Sequence, residues 1–279
     1  MRLLILGGEG MAGHMLVSYF QSKKEYTVYY TSRNPQNRDA IYLDVTNQAR
    51  LEEIIEELEP DIIINCVGLL NQKAEENPQL AFQINSILPH QLAKLADRHN
   101  GKLIHISTDC VFSGSKGNYT ESDSPDGTSV YAHTKKTGEI IDGKHLTIRT
   151  SIIGPELKED GIGLFLWFMK QRGEINGYDK VFWNGVTTLE LAKAVESFIK
   201  AEVKGLYHLG MEDKISKYEL LKLMQVIFQK EDVTIIPYSQ VVMDRTIKNT
   251  RKDFVYHPPK YEIMLTELRD WMDDNEESA

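Results

Sequence analysis

Apolar residues follow two alternating rhythms through the first half of the chain. Short runs at Leu3–Leu6, Thr27–Thr31, Ile41–Leu43, Ile62–Cys66, Leu103–Ser107 and Leu146–Arg149 read as strands, several rich in Ile and Val. Between them, Met11–Gln21, Gln48–Leu58, Pro78–Arg98 and Tyr131–Ile141 carry helical spacing. Pro89 lies inside the third helical stretch and is expected to kink or divide it, because it lacks an N–H and crowds the preceding turn. Near-continuous apolar strands such as Asp61-Ile62-Ile63-Ile64-Asn65 suit a sheet covered on both faces. The alternation predicts an α/β fold, a doubly wound (Rossmann) parallel sheet with helices on both sides.

After Arg149 the rhythm loosens. Helical patterns recur at Gly163–Gln171, Thr188–Ala201, Lys217–Gln229 and Tyr261–Trp271, with short strands at Gly205–Leu209 and Val233–Ile236. No internal repeat or flexible linker separates the halves, so the second half is expected to form a smaller cap interwoven with the sheet. Ser113–Ser129 is polar, holds three Gly and one Pro, and reads as a long functional loop. Asp273-Asp274-Asn275-Glu276-Glu277 reads as a frayed, solvated tail.

The first strand runs into Gly7-Gly8-Glu9-Gly10-Met11-Ala12-Gly13 and a helix follows. In that context the spacing is a dinucleotide fingerprint: missing side chains let the backbone approach a pyrophosphate, and the helix N-terminus meets its charge. The residue that chooses between cofactors lies at the end of the second strand. Thr31-Ser32-Arg33 stands there with no acid, and a hydroxyl with a guanidinium suits the extra phosphate of NADPH, with NADH as the other candidate. Asp44-Val45 at the third strand end is placed for the adenine, and Cys66-Val67-Gly68 at the fourth for the cofactor's path; Asn85 completes the expected contacts. On this reading residues 1–150 plus about 187–209 bind the cofactor, and 151–186 plus 210–279 bind the substrate.

Tyr131 and Lys135 are four residues apart, so a helix puts them on one face. A free tyrosine has a pKa near ~10, and a neighbouring ammonium favours its phenolate. Thr108, at the end of the fifth strand, adds a hydroxyl that can share a substrate oxygen with Tyr131, and Lys135 can also hold the nicotinamide ribose. A glycine turn, a hydroxyl, and a Tyr and Lys in this order predict hydride transfer to or from a carbon bearing oxygen.

A formal net charge of −9 argues against a broad nucleic-acid surface, which needs a basic face. Two cysteines, Cys66 and Cys110, allow at most one bridge and fit a reducing cytoplasm. No signal peptide is expected, since Leu3–Leu6 is short and meets glycines at once. The longest apolar run, Ile62–Leu70, is broken by Asn65 and falls short of the ~20 residues that span a bilayer. His145 and His208 lack metal-site spacing, and His105 and His133 read as structural and exposed respectively, so no metal is expected.

The run Ser107-Thr108-Asp109-Cys110-Val111-Phe112-Ser113-Gly114, together with the glycine turn, Tyr119–Pro125, Tyr131–Lys135, Gly138-Glu139 and Ile148–Ser151, resembles the extended short-chain dehydrogenase/reductases. Within them it is similar to dTDP-4-dehydrorhamnose reductase and related nucleotide-sugar 4-ketoreductases. The resemblance implies Thr108, Tyr131 and Lys135 as the catalytic trio, NAD(P)H as cofactor and a 4-keto-6-deoxy nucleotide sugar as substrate. It also implies a place in cell-surface polysaccharide precursor synthesis and a monomer or homodimer. Substrate contacts are expected from Leu70, Cys110, Val111, Phe112, Trp183 and Asn184. Two positions depart from the family: Cys110 replaces its usual Tyr, and Val186-Thr187 its Pro-Thr. They leave the sugar and the nucleotide, dTDP or UDP, open, a UDP-linked 2-acetamido-2,6-dideoxy-4-keto sugar included. A 4,6-dehydratase would carry Glu at position 110. An epimerase–reductase resembling GDP-fucose synthase would use a Cys there, and a nucleotide-binding regulatory subunit without catalysis is the remaining alternative.

Overall fold

The computed structural model describes residues 1–276. Seven strands form a fully parallel sheet: β1 (Arg2–Leu6), β2 (Thr27–Ser32), β3 (Ile41–Tyr42), β4 (Ile62–Asn65), β5 (Lys102–Ile106), β6 (Leu146–Thr150) and β11 (Gly205–Leu209), in the order β3-β2-β1-β4-β5-β6-β11. The order reverses between β1 and β4, and such a reversal opens a crevice at the strands' carboxyl ends. The expected doubly wound fold is therefore present.

Two apolar cores flank the sheet because its central strands are buried on both faces. Leu3, Ile5, Ile62, Ile64 and Ile148 face helices α1 (Met11–Gln21) and α8 (Thr188–Lys200). Leu4, Leu6, Ile63 and Leu103 face α2 (Gln48–Leu58) and α5 (Leu88–Arg98). The first core continues into the second half through Leu220, Val233 and Leu265, which binds the cap to the sheet without a linker.

Pro89 divides its helical stretch as expected. A short helix α4 (Pro78–Ala81) passes through a π-helical segment, Phe82–Ile87, before α5 begins with Pro89 in its first turn. The π segment lets the Asn85 carbonyl approach Gly138, where a Cβ would lie 1.9 Å from that oxygen. Helix α6 is shorter than its pattern suggested: it covers Val130–Thr137 and ends at Gly138, so 138–141 are not helical. The C-terminal segment is corrected as well, since α10 (Tyr261–Glu276) carries Asp273–Glu276 in helix; Glu277 lies outside the described residues.

The cap contains strands that its sequence hides. Strand β8 (Gly173–Tyr178) holds two glycines and an Asn, yet it pairs in parallel with β13 (Val233–Tyr238). Strand β9 (Val181–Trp183) lies between β12 (Ile215–Ser216) and β14 (Met243–Asp244). The loop Ser113–Ser129 is stitched to the cap at Tyr119: its N–H donates to the Thr246 carbonyl, and its own carbonyl accepts from the Lys248 N–H. Among the described residues no helix is long and apolar enough to cross a membrane, and no His/Cys/Asp/Glu cluster could hold a metal ion.

Candidate active site

The glycine turn opens the crevice. Gly7 has φ +78°, a left-handed conformation that glycine adopts without strain, and its carbonyl accepts from the Gly10 N–H at 2.9 Å. Gly13 allows the helix to pack on this turn, because a Cβ there would stand 2.1 Å from the Gly7 oxygen. Gly10 is exposed and starts α1 with no side-chain cap, so the first backbone N–H groups of the helix have no side-chain acceptor. An uncapped helix start with room for close approach fits a pyrophosphate.

Of the other expected cofactor residues, Cys66 and Val67 lie against Gly7. Cys66, Val67 and Gly68 continue β4 beyond its end, with the Cys66 N–H donating to the Leu6 carbonyl and the Val67 N–H to Asn65 Oδ1. Asp44 accepts twice from Thr46, bonds that hold its carboxyl below the ordinary range. Val45 lines a cleft of about 310 Å³ with Thr46, Gln83, Ile84 and Ile87. Asn85 is fully buried and spends its amide on the Leu69 backbone (2.8 and 2.9 Å) and on Thr134 Oγ1 (3.1 Å). Its role is to position the Gly68–Leu70 segment rather than to offer a free group. Ser32 is buried and donates to Glu9 Oε2 at 2.6 Å, while Arg33 is exposed.

Ser129 caps α6 by accepting from the Ala132 N–H, and the helix carries Tyr131 and Lys135 to the ends of β4 and β5. The Tyr131 phenol and Lys135 are both buried, and the Thr108 hydroxyl lies close enough to the phenol to act on its titration. Burial, helped by Cys110 and Asp109 and opposed by Thr108, pushes the phenol up, so it stays protonated. Lys135 Nζ donates to the Ile106 carbonyl at 2.8 Å and lies 3.3 Å from His105 Nε2. Burial brings its ammonium down to about 8.

His105 completes a buried chain behind the lysine. Asn65 Oδ1 is taken by the Val67 N–H, and its Nδ2 lies 3.1 Å from His105 Nδ1. Burial and Lys135 hold the imidazole well below its usual pKa, hence neutral. His133 is exposed, as expected. A buried Glu139–Arg149 pair locks this end of the sheet: Arg149 donates to both carboxylate oxygens (2.8 and 2.7 Å) and Ser107 Oγ adds a third bond.

The expected sugar contacts divide. Cys110 stands beside the trio; Leu70 is exposed at the rim. Val111 and Phe112 are buried in a core with Tyr119 and Ile247, Phe112 stacking on Tyr119 at 4.1 Å. Their side chains are enclosed in this core, away from the surface where sugar contacts were expected of them. Asn184 likewise spends its amide on Met211 and Ile247 backbone groups. Trp183 is buried, with Nε1 donating to Ser151 Oγ at 2.9 Å.

Two cations complete the pocket from the far end of the chain. Arg245 Nη1 reaches to 3.6 Å from Cys110 Sγ, and its buried Nε has no hydrogen-bond partner among the described residues. Lys217, the first residue of α9 (Lys217–Ile227), lies with Nζ 5.4 Å from the centre of the Trp183 ring; burial lowers it to about 8, against the field of Asp109. In the sequence, the Ser216/Glu219 box around Lys217 marks only a helix start and gives no sign of a pocket residue.

Residues 1–271 match the family described as the RmlD substrate binding domain. A dTDP-4-dehydrorhamnose reductase from Aggregatibacter actinomycetemcomitans is 31% identical over 231 residues, covering 78% of this chain and 76% of that protein. Methionine adenosyltransferase 2 subunit beta of Mus musculus is 24% identical over 78% of this chain and 70% of its own. Among solved structures, a dTDP-4-dehydrorhamnose reductase from Bacillus anthracis in complex with NADP superposes with a TM-score of 0.80 at 23% identity, over 97% of this chain and 99% of that one. The glycine turn, the Thr108/Tyr131/Lys135 set and a family match across nearly the whole chain agree, and the protein belongs to the RmlD substrate-binding-domain family of extended short-chain dehydrogenase/reductases.

Proposed function

We propose that this chain is an NAD(P)H-dependent reductase of a nucleotide-linked 4-keto-6-deoxy sugar, dTDP- or UDP-linked, serving cell-surface polysaccharide precursor synthesis. The observation that carries the reading is the buried meeting of Thr108, Tyr131 and Lys135 at the carboxyl ends of the strands, beside the uncapped start of α1. When bound, the cofactor supplies a hydride for the sugar's carbonyl carbon. Tyr131, protonated, gives its proton to the carbonyl oxygen, and the Thr108 hydroxyl holds that oxygen in place. Lys135 stabilises the phenolate left behind and offers its nitrogen to ribose hydroxyls. Arg33, exposed beyond β2, is the group available to a ribose phosphate. Arg245, with an unpaired Nε, and Lys217 supply donors and charge for the nucleotide sugar's oxygens.

Cys110 is the residue on which the epimerase–reductase alternative depends. Burial, with Asp109 beside it, pushes its thiol up to about 12, so it stays protonated and is a poor base at neutral pH. The physics favours plain reduction. The regulatory-subunit alternative draws on the likeness to the methionine adenosyltransferase subunit, and turnover decides it. Purified chain with NAD(P)H is expected to consume dTDP- or UDP-linked 4-keto-6-deoxy sugars and to leave the free keto sugar nearly untouched, because remote contacts hold the reacting carbon. Equal turnover of the free sugar would sink the nucleotide-sugar reading.

A further inference from the structure

The glycine turn carries one charged side chain. Glu9, between Gly8 and Gly10, folds its carboxylate over the end of β2, where Ser32 Oγ donates to Oε2 at 2.6 Å and Asn37 Nδ2 to Oε1 at 2.8 Å. Partial burial raises its carboxyl, but the hydrogen bonds from Ser32, Asn37 and Asn34 outweigh that and hold it below the usual range. The side chain is therefore an anion, fixed at two points.

The end of the second strand is where a dinucleotide's adenosine ribose is read in this fold, usually by an acid on that strand. Here the strand contributes Ser32, whose hydroxyl proton is already given to Glu9. The acid missing from β2 thus comes from the glycine turn instead. A carboxylate has about four acceptor positions, and the donors from Ser32, Asn37 and Asn34 leave room for a ribose hydroxyl. A phosphate in the same place would meet this carboxylate, a like charge, and would have only Arg33 and Lys158, both exposed, to offset it. Exposed cations are screened and offset little.

We propose that Glu9 is the cofactor-selecting residue of this chain: it accepts from the ribose hydroxyls of NADH and disfavours the ribose phosphate of NADPH, so that NADH binds at least as tightly as NADPH. This reverses the preference that Thr31-Ser32-Arg33 suggests when read without the glycine turn. It rests on the dinucleotide part of the proposed function and is independent of the sugar.

The test is a binding titration of the full-length protein with NADH and with NADPH, without any sugar, followed by nucleotide fluorescence. The unaltered protein is expected to bind NADH as tightly as NADPH or more so. Glu9→Gln, which keeps the size and an amide oxygen for Ser32, should move the NADPH-to-NADH affinity ratio at least roughly 10-fold toward NADPH. Glu9→Asn should move it the same way, and thermal melts of both variants confirm that the fold is intact. Arg33→Ala should weaken NADPH alone. An unaltered protein that prefers NADPH by 10-fold or more, or a ratio unmoved in both folded Glu9 variants, would overturn the assignment. Failure to bind either dinucleotide would overturn this and the reductase reading together, whereas binding without sugar turnover would count only against the latter.

Discussion

His105 Nε2 stands 3.3 Å from Lys135 Nζ, with the Asn65 amide on its other ring nitrogen. Burial brings Lys135 from its usual 10.5 down to about 8, against the fields of Glu139 and Cys66. Below that value it is an ammonium and can support a phenolate; above it the support is lost.

Reduction of the keto sugar should accordingly have an alkaline limb near pH 8. The folded pKa is depressed, so the charged form is the one the fold disfavours, and catalysis needs that form. His105→Leu takes a polar neighbour away from the buried ammonium, deepens its desolvation and should move the limb further down. A limb unchanged in that variant would separate His105 from the titration. By the same sign, Lys135→Met removes a buried ammonium and should keep or raise Tm while lowering turnover; a large fall in Tm would contradict the burial argument.

Tyr131→Phe should lower kcat by at least ~10²–10⁴-fold, the usual worth of a general acid, with dinucleotide affinity preserved. Near-normal turnover would remove Tyr131 from the chemistry.

Cys110 supplies a test of reaction class. With its thiol at about 12, reaction in heavy water should leave the protons at carbons 3 and 5 of the sugar unexchanged, and Cys110→Ser should have a modest effect. Deuterium at either carbon, abolished by that substitution, would move the protein to the epimerising class.

Stability at the back of the site depends on Glu139. Its side chain and that of Arg149 are 5% and 4% exposed, and their pair also holds Ser107. Glu139→Ala leaves a guanidinium buried without its partner, which typically costs about 3–5 kcal/mol. Chemical denaturation should show that loss, and a change below about 1 kcal/mol would mean that His208 alone suffices for Arg149.

Local chemistry made part of this site legible in the sequence. Gly7–Gly13, Thr108, Tyr131 and Lys135 are spaced by one turn, one strand end and one helical face, so their meeting follows from short-range geometry. Arg245 reaches Cys110 where the loop at Tyr119 is bonded to Thr246 and Lys248, a contact across more than a hundred residues, and Lys217 comes to Asp109 from a further segment, the start of α9. Nothing local announces it. Asn85, Asn184, Val111 and Phe112 show the opposite case: they lie in the right segments, but their polar groups or surfaces are consumed by the fold. Glu9 was in plain sight within the glycine turn, and its meaning depends on Ser32, twenty-three residues away, donating to it.

Hydride transfer to a sugar ketone with a proton from Tyr131 leaves a label that can be followed. Cofactor deuterated at the transferable position of the nicotinamide, supplied with a dTDP- or UDP-linked 4-keto-6-deoxy sugar, traces it. One deuterium is expected in the product, at carbon 4, and the labelled product should form at least ~10²-fold more slowly in Tyr131→Phe. Product without label at carbon 4, or no product from either nucleotide sugar, would contradict it.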